Sequence, residues 1–206
     1  MAATPAASSP RSGLAGQFIT FEGIDGCGKT VQVNLLAKRL AAQGVPLLQT
    51  REPGGTTIGQ GLRRVLLDPA HTVMTPQCEV LLYLADRMQH LAEVMRPALV
   101  RGELVLCDRF HDATLAYQKY GRGLDFKPLE ALIAREIQPM PHLTFWLDLD
   151  VPTARQRVLA RLKANQTQAG AESRIDEDAP DFHERVREGY QDLARLYPQR
   201  IVRIDA

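Results

Sequence analysis

The 206-residue sequence lacks several features that would settle its class at once. It has no apolar run long enough to cross a bilayer, which excludes a membrane-spanning helix. Its three cysteines, Cys27, Cys78 and Cys107, are odd in number and far apart. They make neither a disulfide framework nor a cysteine metal site, so a reducing, cytoplasmic setting is the expectation. Charge of one sign is also missing: 25 Lys and Arg stand against 24 Asp and Glu, a formal net charge of +1. No whole-molecule attraction to nucleic acid or to an anionic membrane follows, and neither is expected as a partner. The first sixteen residues are rich in Ala, Ser and Pro but lack the basic start and apolar stretch of a secretory signal. They read as a disordered tail ahead of a single domain over 17–206. No repeat or long linker breaks that domain.

Apolar strand-like runs alternate with longer amphipathic segments, the signature of a parallel sheet with helical crossovers. Strands are expected at 18–21, 45–48, 104–107, 143–147 and 201–204. A helix carrying Val33, Leu36, Ala37 and Leu40 on one face follows the first strand, and Gly44 stops it. Residues 51–55 read as a turn. Thr75 and Pro76 look like an N-cap and first helical residue, opening a helix with a stripe of Leu81, Leu84, Met88, Leu91 and Met95. Residues 163–173 are polar and aperiodic, which predicts a mobile loop.

Between the first strand and its helix stands Gly23-Ile24-Asp25-Gly26-Cys27-Gly28-Lys29-Thr30, which fits G-x-x-x-x-G-K-[ST]. Glycines let the backbone wrap so that several N–H groups point at one phosphate chain, and the helix adds its positive end. Lys29 puts a charge on the terminal phosphates, and the Thr30 hydroxyl can ligate Mg²⁺. Cys27 contributes backbone. No N-K-x-D guanine reader is present, nor a transporter ATPase signature. A small kinase with an acceptor pocket is what remains.

Asp108 and Arg109 end a strand, where ligands bind in an open parallel sheet. Arg109 offers a rigid fork to an acceptor phosphate, and Asp108 can hold a Mg²⁺-bound water. If the next segment is helical, Thr114, Tyr117 and Gln118 share one face. Tyr83 and Arg87, four residues apart, make a second face. Together the two form a candidate base pocket, with a ring to stack and polar groups to read the edge.

With these pieces in order, FEGIDGCGKT, REPGGT, EVLLYLADRMQH, DRFHDATLAYQKYGRGLD and LDLDVPTARQR, the chain resembles the bacterial thymidylate kinases from residue 18 onward. The resemblance implies a P-loop three-layer α/β fold: a five-stranded parallel sheet with helices on both faces and a lid at about 161–176. It implies transfer of the ATP γ-phosphate to dTMP with Mg²⁺, and a homodimer. By position, Asp25 lies near the acceptor sugar and phosphate, and Glu52 near the transfer site. Arg63 and Arg109 bind the acceptor phosphate, Tyr83 stacks on thymine, and Tyr117 lies under the deoxyribose. Arg87, Thr114 and Gln118 read the base. Arg174, with Arg161 as its partner, is expected to close over ATP as a catalytic arginine supplied in cis. Ala113 stands where serine is common, Lys119 replaces a usual glycine, and Ser173-Arg174-Ile175-Asp176 stands for D-R-I/L-E. The family usually continues into another helix where this chain has Ile204-Asp205-Ala206. Two other readings stay open: a kinase for another small acceptor, and a P-loop regulatory ATPase.

Overall fold

The computed structural model describes residues 12–164, 174–175 and 178–206. Five parallel strands, β1 Phe18–Glu22, β2 Leu47–Arg51, β3 Leu104–Asp108, β4 Leu143–Asp148 and β5 Ile201–Asp205, form one sheet in the order β2-β3-β1-β4-β5. β1 lies at its centre, with Phe18 beside Val105 and Ile19 beside Leu143. All expected strands are present, and one is displaced. The second starts at Leu47 and runs to Arg51, because Pro46 has no N–H to donate; its carbonyl accepts from Leu104 N before the ladder begins. Arg51 is thus a strand residue rather than part of the turn.

Strand alternation sends side chains to two separate cores. Ile19, Phe21, Leu104 and Leu106 face one side, packing with α1 (Lys29–Ala41), α7 (Val151–Ala164) and α8 (Pro180–Leu196). Phe18, Val105 and Cys107 face the other, against α3 (Pro76–His90) and its continuation through a wider, π-type turn, Leu91–Met95, into α4 (Arg96–Val100), with Leu132 and Ile133 of α6 (Glu130–Glu136) packed alongside. Helices therefore cover both faces, as a parallel sheet requires.

Thr75 caps α3 as expected, its hydroxyl accepting from Cys78 N. The inward stripe of α3 differs from the expected one. Val80, Leu84, Arg87 and Leu91 point in, whereas Leu81 is 50% exposed. The burial of Arg87 turns the helix, since its guanidinium reaches the carboxylate of Glu52 beneath it. The described residues include part of the expected tail: Ser12–Leu14 make a 3₁₀ turn, and Gly16 N donates to Gly102 O. The rest of the expected tail, 1–11, lies outside the described residues, as do 165–173 and 176–177 of the expected loop and lid, Ser173 and Asp176 included. No described helix is long and apolar enough to cross a membrane.

Candidate functional site: a two-sided cleft at the strand ends

The carboxyl ends of β1, β2 and β3 open into a cleft of about 1550 Å³. Every predicted site residue lines it except Gly23, Ile24 and Arg174. The phosphate loop forms its floor. Gly23 and Gly26 have φ of 138° and 87°, and a Cβ on either would strike backbone, 2.5 Å from Leu147 O and 2.3 Å from Ala154 O. Only glycine fits both the conformation and the space. Gly28 caps α1 with no side chain in the way, so the first-turn N–H groups of the helix face the cleft. Ile24 is buried and anchors the loop to the core. Lys29 is folded back along the loop, its Nζ donating to Gly23 O and Ile24 O at 3.0 and 2.9 Å. Thr30 Oγ1 donates to Asp108 Oδ2 at 2.5 Å.

One wall is a dense polar cluster. Arg109 is the one non-glycine among the described residues with positive φ, 71°. Such a conformation costs about 1–3 kcal/mol and needs support from its surroundings. The support is specific. Arg109 N donates to Phe21 O, Nη1 to Gly23 O at 3.0 Å, and Nη2 to Asp25 Oδ1 at 2.7 Å and Tyr117 OH at 3.0 Å. The guanidinium also lies over the Tyr117 ring, 4.8 Å from its centroid. Burial opposes the Asp25 charge, but the Arg109 and Lys29 cations and the hydrogen bonds from Arg109 and Tyr117 outweigh it and hold the carboxyl well below its ordinary range.

Deeper in, Arg87 spends its fork on three acceptors: Glu52 Oε2 at 2.7 Å, Thr114 Oγ1 at 2.8 Å and Phe110 O at 2.8 Å. Glu52 also receives His90 Nδ1 at 2.9 Å. Glu52 is therefore a buried support for Arg87 in the cleft lining. Arg63 is less committed. Its Nη1 donates to Pro53 O at 2.9 Å and the rest of its fork faces the cleft. Burial and the neighbouring Arg51 charge lower its pKa, conditions that an anion would relieve. Tyr83 lines the cleft from α3. Thr114 ends a short helix, α5 (His111–Thr114), which widens into a π-type turn, Leu115–Gly121, carrying Tyr117 and Gln118. The three residues reach the cleft together although the segment is not regular α-helix, an arrangement frequent at functional sites.

The opposite wall is open. Arg161 and Arg157 on α7 and Arg39 on α1 line it and are exposed. Arg174 is not there. Its N donates to Leu67 O, its Nε to Leu66 O at 3.2 Å, and its Nη2 pairs with Glu79. In this structure the arginine expected over the donor phosphates lies here instead: Glu79, almost wholly buried, needs counter-charges, and Arg174 is pinned beside it at the end of α2 (Thr57–Leu67).

Similarity to known proteins agrees with this geometry. A family-wide sequence profile described as thymidylate kinase matches residues 21–206. The chain belongs to the thymidylate kinase family. A thymidylate kinase from Geobacter sp. (strain M21) is 48% identical over 193 residues, covering 92% of this chain and 84% of that one. The one from Trichlorobacter lovleyi is 49% identical over 190 residues, covering 92% and 89%. A crystal structure of thymidylate kinase from Ehrlichia chaffeensis is similar in fold, with a TM-score of 0.72 at 33% identity over 93% of this chain and 89% of that one.

Seen as a thymidylate kinase, the chain has further site-supporting residues that its motifs did not single out. Glu22, directly before the phosphate loop, accepts from Phe110 N at 2.8 Å, Ala113 N at 3.3 Å and Tyr190 OH at 2.8 Å. Burial first, and the Asp112 charge second, push its pKa up to about 7. Tyr190 also lies 3.4 Å from Arg109 Nη1. Glu22 stands inside the FEGIDGCGKT segment beside the phosphate loop, and that position was the signal available.

Proposed function

We propose that this chain transfers the γ-phosphate of ATP to dTMP, giving dTDP and ADP for dTTP synthesis. One observation carries the reading. Arg109, the acceptor-phosphate candidate, is tied by its own hydrogen bonds to Gly23 and Asp25 of the phosphate loop. An acceptor phosphate held by Arg109 and Arg63 is thereby brought beside the donor phosphates, and proximity is what phosphoryl transfer chiefly needs. The acceptor oxygen belongs to a phosphate that is mostly ionised near neutral pH, so no strong base is required. Asp25 and Tyr117 orient Arg109; Lys29 and the α1 N-terminus neutralise the donor side. Arg161 and Arg157 are the cations placed to meet ATP from α7.

The base pocket favours one edge. Thr114 accepts from Arg87, which leaves its hydroxyl proton to donate, and Gln118 supplies an amide. Thymine offers a carbonyl acceptor beside a ring N–H, which these groups complement, while Tyr83 stacks. Mg²⁺ fits the residues present. Thr30 and Asp108 give one hydroxyl and one carboxylate, enough when phosphates and water complete the shell. The ion would supply neutralisation of phosphate charge. A cytoplasmic homodimer is part of the proposal, supported by free cysteines and by exposed Ile58, Val65 and Leu81 on the neighbouring helices α2 and α3. ADP release measured with and without dTMP tests the activity: strong dependence on dTMP is expected, and slow ATP hydrolysis indifferent to it would contradict the proposal.

A further inference from the structure

Glu79 is 1% exposed, lies outside the cleft lining, and is surrounded by donors. Gln118 Nε2 donates to its Oε1 at 2.8 Å. Arg122 reaches both of its oxygens at 3.2 Å, and Arg174 pairs with Oε2. Burial alone would raise the Glu79 pKa, but the Gln118 hydrogen bond and the Arg122 charge overcome it and keep the carboxyl ionised. An ionised carboxylate only accepts. The Gln118 amide therefore has one permitted orientation toward it: NH₂ inward, carbonyl oxygen away. Gln118 is also a cleft residue, so the atom left for a ligand is that carbonyl.

We propose that Glu79 is a positioning residue for base choice, fixing the Gln118 amide so that its carbonyl meets ring position N3 of the acceptor pyrimidine. This rests on the reading of the cleft as a dTMP site. Thymine N3 carries a proton and donates to a carbonyl. Cytosine N3 is a bare acceptor and meets it lone pair to lone pair. Without the carboxylate the amide is free to turn its NH₂ outward and accept cytosine.

The test is the ratio of kcat/KM for dTMP to that for dCMP, with Glu79→Gln as the main variant. The ratio is expected to narrow by at least about tenfold, with the pH profile for dTMP unchanged. Glu79→Asp keeps the charge for the long arginines but falls short of Gln118. It should narrow the ratio too, and serves if Glu79→Gln does not fold. Asp178→Asn disturbs the same network one step away, removing the partner of Arg122 while leaving the Arg122 charge on Glu79 and all of Gln118 in place, and should leave the ratio as in the wild type. A wild-type ratio in the folded Glu79 variants overturns the inference, as does equal narrowing in Asp178→Asn, which would mean general loosening. Failure of the underlying reading looks different: the wild-type chain itself would not use dTMP.

Discussion

The two walls of the cleft are built differently. On the acceptor wall, Asp25, Arg109 and Tyr117 are joined side chain to side chain, as are Arg87 and Thr114, and Arg109 is held in a left-handed conformation. On the donor wall, Lys29 rests on the carbonyls of its own loop, and Arg161, Arg157 and Arg39 are exposed. We propose that the acceptor wall is set before substrate arrives and that the donor wall completes itself around ATP. Order belongs where selectivity is needed, since fixed polar groups reject a mismatched base more strongly than mobile ones.

Substitutions should separate the walls. Arg109→Met is expected to have the largest effect, lowering kcat/KM roughly 10³-fold and the melting midpoint by several degrees, because Asp25 and Tyr117 lose their partner. Kinetics and thermal melts on one preparation check this. A loss of activity with an unchanged midpoint would mean the cluster is not a structural unit. Arg161→Ala should lower kcat roughly 10²- to 10³-fold with almost no change in midpoint, as expected for an exposed side chain acting on charge in the transition state. Arg174→Ala should do the reverse, costing midpoint more than kcat. If Arg174→Ala instead cripples kcat at an unchanged midpoint, the roles of the two arginines are exchanged.

The contrast follows what a sequence can carry. The phosphate loop was legible because eight consecutive residues fix its backbone, and Thr75 was legible because a cap is local. The pairing of Arg174 with Glu79 was not, since the partners lie 95 positions apart and only the fold brings them together. Glu22 was missed for the same reason: two of its donors are backbone N–H groups on a distant segment. Leu81 was misassigned because periodicity counts apolar residues, and the true inward face includes a buried arginine.

Two smaller effects refine the acceptor wall. On the proposed reading, Thr114 and Gln118 meet features that thymine and uracil share, so only the methyl group separates the two bases. dTMP should exceed dUMP by roughly 10- to 200-fold in kcat/KM, and equal use would contradict an apolar contact to that methyl group. His111, behind this wall, has its pKa pushed down to about 3 by burial, with the Arg87 charge adding to it. It stays neutral in the fold while the unfolded chain takes up a proton below about pH 6.5, so the wild type loses stability as pH falls through that range. His111→Phe removes the loss. Its stability relative to wild type should climb by about 1.4 kcal/mol per pH unit below pH 6.5, a difference in which the opposing contribution of Glu22 cancels. Denaturant melts from pH 4.5 to 7.5 measure it, and a flat difference would mean His111 is protonated in the fold.

Calorimetric titration of dTMP without ATP, on the wild type and on Arg161→Ala, tests the asymmetry of the walls most directly. A preset acceptor wall predicts saturable binding to both, with dissociation constants within about threefold, the room left for an exposed charge on the far wall. Binding that appears only with an ATP analogue, or that Arg161→Ala abolishes, would contradict it.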